Sequence, residues 1–547
     1  RESQEGVNGY ASIQLGILAG VILLALGSLS LTVVVMALVM LSLVGTVGAL
    51  GFSGWPVNGI SSAAPVVLMG LTVASAIHVV MAWQVALRAG ADQTGALAVA
   101  LDRNAKPVIL SIVTTLLSFL VLNTAEAPPF RELGNIVALG LAGILALTFT
   151  LLPALLTLAP RSYGEHRGIL ERALGGMGAA AARRAKSVAA GGVVLIVGAV
   201  AGISAITVDD TFSHYFNEQY EVRVATDLFE EKLSGTTIID LAVDTGAPGE
   251  AFSPQTLART ADIARWLEAR PEVARVESLA AVAALIEDRG LPLSADNIQR
   301  TAARMAEAGV PRLITTDGQH VRTSIVMRGV SSRDTLAFRD ELASYAGTVF
   351  DAGSVIVTGL PILSAQLSVG SARAMVIGMA IALTAISLLL VVTLRDWRLG
   401  LVSLVPNLVP VTIAFGIWGV FVGEVSFAVT VVAALTYGIV VDDTVHLLSK
   451  YQRMRAEAPN AVDAIRRAFR SVGIAVLVTT LALAASFMPF ALSGFLVNRH
   501  FGALTALTLM AAIIADLVLL PALLAVMDKR KRTARVPQLR QMRRQGD

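Results

Sequence analysis

Two long apolar blocks of this chain repeat the same sequence motifs, one block in each half of the molecule. Residues 70–78 (GLTVASAIH) correspond to residues 438–446 (GIVVDDTVH). In the first block a threonine pair, Thr114 and Thr115, follows, and then a Pro-Ala-Leu-Leu motif at 153–156. In the second block the corresponding features are Thr479 and Thr480 and the motif at 521–524. Apolar segments of this length are typical of membrane-spanning helices. The repeat therefore predicts two related helical bundles within one chain.

The composition agrees with a membrane protein and argues against several other classes. Of the 547 residues, 55% are hydrophobic and 15% are charged, and the mean hydropathy is +0.70, whereas soluble proteins are less apolar. The chain has no cysteine, so it can form neither a disulfide framework nor a thiolate metal site. It contains no Walker A motif, nucleophile elbow or HExxH motif. We therefore expect no enzymatic activity, no cofactor, no metal and no nucleic-acid partner.

Hydropathy predicts eleven membrane spans and one polar domain. The spans are expected near residues 10–28, 31–52, 60–86, 106–124, 132–158, 188–207, 372–394, 399–422, 426–449, 473–493 and 501–526. The predicted fold class is an α-helical polytopic membrane protein with two pseudo-repeats and one α+β domain. Its expected parts are a first repeat (1–160), a linker (161–187), a single span (188–207), the polar domain (208–371), a second repeat (372–527) and a basic tail (528–547).

Positively charged loops set the expected orientation in the membrane. Arg and Lys residues concentrate in the C-terminal tail and near 87–106, 159–187, 395–398 and 450–471. Loops of this kind face the cytoplasm, which places the polar domain on the opposite side of the membrane. The first repeat lacks the leading span and polar domain that the second repeat has. We expect that the sequence is truncated at its N-terminus; a separately encoded partner subunit is the alternative.

The polar domain carries both strand and helix patterns. Strands are predicted at 236–243, 321–327 and 354–358, and helices at 254–267 and 333–345. The stretch 279–310 is expected to add further helix. This alternation favours an α+β sandwich of the split βαβ type.

Four local patterns give further expectations. The glycine-rich stretch 174–178 is expected to form a flexible loop, and 461–470 a basic amphipathic helix on the inner leaflet. Pro406 and Pro410 are expected to interrupt a span. An amphipathic segment at 359–370 leads directly into the next span.

The carboxylate pair Asp442 and Asp443 is the strongest functional signal, because ionisable groups in the membrane interior are costly. The two side chains lie about 100° apart around a helix axis, and His446 is close enough along the helix to contact either. No Lys or Arg is expected at this depth, so at least one carboxylate should be protonated near neutral pH. We interpret the pair as a proton relay, with His446 as partner or relay and Thr479 and Thr480 as hydrogen-bond donors. The alternative is that the aspartates only hold helices together.

Two further sites are candidates for secondary roles, and the threonine pair has an alternative interpretation. His78 pairs with Ser75 by helical spacing, and is either a satisfied interior histidine or a relay. Asp516, in the last span, either joins the cluster or bonds to a neighbouring Ser or Thr. Thr479 and Thr480 either cap local backbone carbonyls or take part in transport.

The order of spans and polar domain, with the motifs GIVVDDTVHLL at 438–448 and ADLVLLPALL at 515–524, resembles the RND superfamily. The motifs are similar to those of its MMPL and sterol-sensing-domain-like branch, which includes bacterial lipid and hopanoid exporters. The resemblance implies a proton-driven exporter with periplasmic porter domains and relay carboxylates on the fourth span of one or both halves. Asp442 and Asp443 match the relay of the second half. Ala74 and Ser75 stand where carboxylates of the first half would be.

The resulting hypothesis is a proton-motive-force-driven exporter of hydrophobic or lipid-like molecules. Its expected partners are the lipid bilayer, that cargo, a periplasmic adaptor and further copies of the chain in a dimer or trimer. Two alternatives remain open. One is a non-transporting, sterol-sensing-like receptor or scaffold, and the other is an accessory to protein translocation.

Overall fold

The structure is a computed structural model that describes residues 2–58, 60–162, 168–208, 215–232, 237–328, 330–351 and 354–528. Beyond Asp528, the expected basic tail lies outside these residues. In the described part of the chain, 10 helices are long and apolar enough to cross a membrane. The predicted first span corresponds to a helix that includes the apolar segment Ser12–Leu26. The predicted fold class is confirmed.

The first repeat consists of antiparallel apolar helices joined by short loops. These are α1 (Glu2–Leu26), α2 (Leu29–Ser53), α3 (Ala64–Arg88), α4 (Gln93–Leu120), α5 (Pro128–Phe149) and α6 (Leu151–Leu158). Two helices follow before the polar domain, α7 (Gly168–Arg183) and α8 (Ala185–Ile203). Asp92 caps α4, since its side chain accepts a hydrogen bond from the backbone N–H of Gly95.

The polar domain is an α+β sandwich that follows a short strand, β1 (Thr207–Val208). Its elements are α9 (Glu221–Lys232), β2 (Thr237–Asp244), α10 (Pro254–Glu268), β3 (Val273–Glu277), α11 (Leu279–Asp288), α12 (Ala295–Glu307), β4 (His320–Met327), α13 (Ser332–Val349) and β5 (Val355–Thr358). Antiparallel strands pair in the order β3-β4-β2-β5, which is the order of a split βαβ unit. Ile239, Leu241 and Ile325 of the sheet pack with Phe338 and Leu342 of α13 in the core.

The second repeat begins directly after β5 and reproduces the helices of the first. It contains α14 (Leu360–Leu394), α15 (Trp397–Phe421), the short strand β6 (Glu424–Val425), α16 (Phe427–Glu457), α17 (Ala461–Ala491), α18 (Leu496–Ile514) and α19 (Leu520–Met527). As predicted, residues 360–370 lead directly into a span and residues 461–470 are helical. They form the first turns of α14 and α17, and each helix continues without a break into its apolar part.

Two local predictions were wrong. The glycines of 174–178 lie inside α7 and not in a loop. Gly175 and Gly178 let this helix approach α17 closely, next to the Arg466 carbonyl and the Phe469 ring. Pro406 and Pro410 lie inside α15 without interrupting it, because neighbouring helices in a membrane protein support the backbone where proline removes a hydrogen bond.

Four helices form the centre of the bundle. Helix α3 packs against α4 and α17, and α16 packs against the same two helices, so α3 and α16 face each other across a diagonal. In their most apolar parts α3 and α16 are 83% and 94% buried, against 6% for α8. Outside the centre, β1 and β6 pair in parallel and connect the end of α8 to the start of α16.

Candidate functional site

Asp442 lies on α16 at the contact between the two repeats, and its side chain is buried. Its carboxylate accepts a hydrogen bond from the hydroxyl of Ser111 on α4, a helix of the first repeat. On the other side, His446 Nε2 lies 3.5 Å from Asp442 Oδ1, one helical turn along α16. Protonation of Asp442 therefore changes contacts in both repeats.

Asp443, which is also buried, points instead to α17 of its own repeat. The hydroxyl of Thr479 lies 3.1 Å from Asp443 Oδ1, and the Thr480 hydroxyl donates to the other carboxylate oxygen. The same hydroxyls also lie within 2.9 Å of backbone carbonyls of α17, at Ala475 and Val476. Each hydroxyl has one proton, so it donates either to the carboxylate or to its own helix. This geometry therefore allows both predicted roles of the threonines, which are hydrogen bonding to Asp443 and capping of backbone carbonyls.

Asp516 reaches the cluster through Thr444 rather than by direct contact with the aspartate pair. The Thr444 hydroxyl lies 2.8 Å from Asp516 Oδ1 and 2.8 Å from Asn407 Oδ1 on α15. Asp516 lies in a π-helical turn, Ala515–Leu519, between α18 and α19, and such turns are frequent at functional sites. In the described part of the chain, Asp516 Oδ2 is buried without a hydrogen-bond partner.

His78 occupies the position of the first repeat that corresponds to His446, and the two rings stack across the central diagonal. Their centroids are 3.7 Å apart and their planes differ by 3°. The predicted pairing of His78 with Ser75 was wrong, because the Ser75 hydroxyl donates to the Leu71 carbonyl of the preceding turn. His78 Nε2 is buried and has no hydrogen-bond partner among the described residues. Two protonated rings at this distance would repel each other strongly.

The cluster contains no fixed positive charge. Among the residues that the structure describes, no Lys or Arg forms a salt bridge with Asp442, Asp443 or Asp516. His446 lies beside Asp442 and would form an ion pair with it only when protonated. All three carboxyl groups are buried. An ionised carboxylate without a cation is costly in such surroundings, so the site favours groups that exchange protons.

Sequence reasoning missed Ser111, Asn407 and Thr444. Ser111 lies three and four residues before Thr114 and Thr115, on the same helix face, and this spacing is a signal that could have identified it. Comparison of the two repeats does not point to Ser111, because Val476 occupies the corresponding position in the second repeat. The partners of Asn407 and Thr444 depend on how α15, α16 and α18 pack, which no local pattern specifies.

A cavity of about 320 Å³ reaches this cluster from one end of the bundle. His78 and His446 form part of its wall, as does Leu394 at the end of α14. Because α14 begins directly after β5, this is the end of the bundle that is farthest from the α+β domain. The histidine pair therefore separates the cavity from Asp442.

Acidic groups of the α+β domain have a different environment. Asp240 on β2 accepts hydrogen bonds from Arg322 and Ser324 of the neighbouring strand. A hydrogen bond from the Gly246 N–H, together with one from Gln319, holds the pKa of Asp244 below its usual value. Both carboxylates thus have hydrogen-bond donors within the α+β domain, and the candidate proton-exchange groups are those inside the bundle.

A duplicated helical bundle with acidic groups on a central helix and an α+β domain between its repeats defines an RND-type membrane protein. The MMPL family model matches residues 3–188 and 243–546, and the chain belongs to the MMPL family. The predicted resemblance to RND and MMPL proteins is thereby confirmed.

Solved structures share this fold. SecDF from Thermus thermophilus, a translocon-associated membrane protein, superposes with a TM-score of 0.60 at 14% sequence identity, over 96% of this chain and 62% of the SecDF chain. SecDF in its super-membrane-facing form superposes with a TM-score of 0.59 at 14% sequence identity, over 95% of this chain and 61% of the SecDF chain. The membrane protein MJ1562 of Methanocaldococcus jannaschii is 28% identical over 123 residues, which is 22% of this chain and 32% of MJ1562. The chain thus spans less than two thirds of each of these proteins, and the likeness to SecDF shows the fold alone.

Proposed function

We propose that this protein is an exporter that uses the proton motive force to move hydrophobic or lipid-like molecules from the membrane. The observation that carries the proposal is the buried cluster of Asp442 and Asp443, which has hydrogen-bond donors on two helices and no Lys or Arg partner in the described residues. Buried carboxylates in membrane helices mark substrate and ion pathways or proton relays.

Asp443 provides a way to convert proton binding into helix movement. When the carboxylate is ionised, Thr479 and Thr480 donate to it and connect α16 to α17. When it is protonated, the hydroxyls are free to donate to the carbonyls of Ala475 and Val476. The hydrogen bonds between the two helices are then weakened, and their packing can change.

Asp442 extends the same change to the first repeat, although that repeat has no carboxylate at the corresponding position. Its partner Ser111 is on α4, and its neighbour His446 stacks on His78 of α3. A single acidic pair can therefore act on both halves. Helix α14 begins directly after β5 and carries the movement to the α+β domain.

The location of the protein and its partners complete the proposal. The α+β domain faces the periplasm and the C-terminus the cytoplasm of a bacterial inner membrane, because the basic loops lie at the opposite end of the bundle from that domain. A porter domain that transfers cargo to another protein would bind an adaptor in the periplasm. It would also be consistent with assembly of the chain into a homodimer or homotrimer.

The test measures proton flux and lipid transport in vesicles that contain the purified full chain. With an imposed pH gradient, the wild type should move protons and a fluorescent phospholipid probe, and Asp443→Asn should abolish both. The matched control Asp102→Asn changes an exposed acid on α4 and should retain both activities. Thermal unfolding and insertion are measured for each variant. Unaltered transport in the double variant Asp442→Asn/Asp443→Asn would eliminate the proposed mechanism.

Two other functions are candidates. An accessory role in protein translocation is favoured by the fold shared with SecDF, which is described as translocon-associated. A sterol-sensing-like receptor or scaffold is favoured by the absence of carboxylates at Ala74 and Ser75. A scaffold should tolerate Asp443→Asn, whereas a translocation accessory should move protons but not the lipid probe.

A further inference from the structure

The cavity below the histidine pair is surrounded by positive charge. Each of the four central helices contributes at least one basic side chain to its lining: Arg88 from α3, Arg103 and Lys106 from α4, Lys450 and Arg453 from α16, and Arg470 from α17. The lining includes a single carboxylate, Glu171 of α7. The potential inside the cavity is therefore strongly positive.

Most of these cations are not neutralised by the protein. Among the described residues, no carboxylate lies within salt-bridge distance of Arg103, Lys106, Lys450, Arg453 or Arg470. The Lys106 ammonium donates to the Thr393 carbonyl, 3.0 Å away. Lys450 has the cations Arg103 and Arg453 and the carboxylate of Glu457 as charged neighbours, the last beyond salt-bridge distance.

Some basic residues outside the cavity at the same end of the bundle are paired. Arg455 forms a salt bridge of 2.8 Å with Asp528, and Arg466 lies 3.5 Å from Asp463. A general excess of cytoplasmic Arg and Lys accounts for a basic surface. The cavity differs from such a surface because its cations come from all four central helices and line one space.

We propose that this cavity binds an anion that carries a phosphate group. Arginine presents a planar set of donors that matches phosphate oxygens, and lysine adds a compact charge. A volume of about 320 Å³ accommodates one such group. The phosphate belongs either to a soluble compound or to the headgroup of a phospholipid that enters from the membrane surface. The cavity shares His78 and His446 with the proton-exchange cluster, but the cations proposed to bind the anion are not part of that cluster.

The test compares three forms of the full chain in phosphatidylcholine nanodiscs. The cavity variant is Arg103→Gln/Lys450→Gln/Arg453→Gln. The control is Arg183→Gln/Arg184→Gln/Lys186→Gln, which removes the same charge from exposed side chains where α7 meets α8. One arm titrates inorganic pyrophosphate by calorimetry. The other arm adds phosphatidylglycerol to the nanodiscs and counts retained lipids by native mass spectrometry.

In at least one arm the cavity variant should bind about tenfold more weakly than the wild type, while the control is unchanged, since three charge-assisted contacts are lost. Binding confined to the first arm identifies a soluble phosphate compound, and binding confined to the second identifies a headgroup. If the triple variant does not insert, Arg103→Gln/Arg453→Gln replaces it, because both side chains are exposed. The proposal is overturned if the wild type binds neither probe, if the cavity variant binds as the wild type does, or if the control loses as much affinity.

Discussion

At the scale of single residues, two adjacent aspartates have different partners because of helix geometry. Consecutive side chains point about 100° apart around an α-helix. Asp442 therefore reaches α4 of the first repeat, while Asp443 reaches α17 of the second. The two aspartates are therefore not interchangeable, because each has its hydrogen-bond partners on a different helix.

Ser111→Ala tests the connection between Asp442 and the first repeat. The change removes the only hydroxyl donor that the described structure shows for this carboxylate. A hydrogen bond to a charged group contributes about 1.5–3 kcal/mol, so we expect proton-coupled transport to fall by about tenfold or more. Ser118→Ala is the matched control, since its hydroxyl bonds only to the Thr114 carbonyl of its own helix. Wild-type transport by Ser111→Ala would show that α4 does not respond to Asp442.

Most residues of this cluster could be predicted from the sequence. The contacts that could not be predicted were missed for one shared reason. The aspartates, His446 and the threonine pair follow from the cost of charge in a membrane and from helical spacing. The stacking of His78 on His446 and the contact from Ser111 could not be predicted, because they join side chains of different repeats. The sequence shows that His78 and His446 are equivalent, but not that the equivalent positions meet.

At the scale of helices, hydropathy located the spans but underestimated their length. Helix α14 has 35 residues and is roughly 50 Å long at 1.5 Å per residue, which exceeds the hydrocarbon thickness of about 30 Å. Hydropathy reports only the apolar portion, whereas a helix continues as long as its backbone hydrogen bonds form. The glycines of α7 were misread for a related reason, since close packing against α17 outweighs their low helix propensity.

Glycine also fixes the contact between α8 and α15, and Gly416→Val tests its importance. A Cβ atom at Gly416 would lie 2.5 Å from the Ala199 Cα atom, so the backbones must separate. Overpacking of this kind costs about 1–3 kcal/mol of unfolding free energy, measured by denaturant titration in detergent. The control Gly198→Val, on the exposed side of α8, has no atom within 4 Å of the added Cβ and should not be destabilised. Equal stability of the two variants would argue against a close contact here.

At the scale of the whole molecule, the α+β domain is attached to the bundle at several points. Helix α14 follows β5 directly, and β1 pairs with β6 at the end of α8. Its split βαβ order was predictable from alternating strand and helix patterns. Strand β3 was not predicted, since only one of its residues, Val273, is buried and two of its five are charged.

A reversible cross-link between β1 and β6 tests whether this attachment moves during transport. Thr207 and Glu424 are register partners in the parallel pair, and neighbouring strands lie about 4.8 Å apart, which a disulfide can span. Because the chain has no cysteine, Thr207→Cys/Glu424→Cys introduces the only two thiols. If proton binding in the bundle moves the domain through this junction, the oxidised variant should lose most lipid-probe transport and regain it with reductant.

The control for the cross-link lies within the sheet of the α+β domain. Asp244 and His320 are antiparallel register partners, so Asp244→Cys/His320→Cys joins two strands that already move as one unit. Its oxidation should leave transport unchanged, and mass spectrometry verifies both disulfides. Equal transport by the oxidised and reduced forms of the junction variant would show that β1 and β6 stay together throughout the cycle. Coupling would then have to pass through other connections, of which α14 is the direct covalent path from the second repeat to the domain.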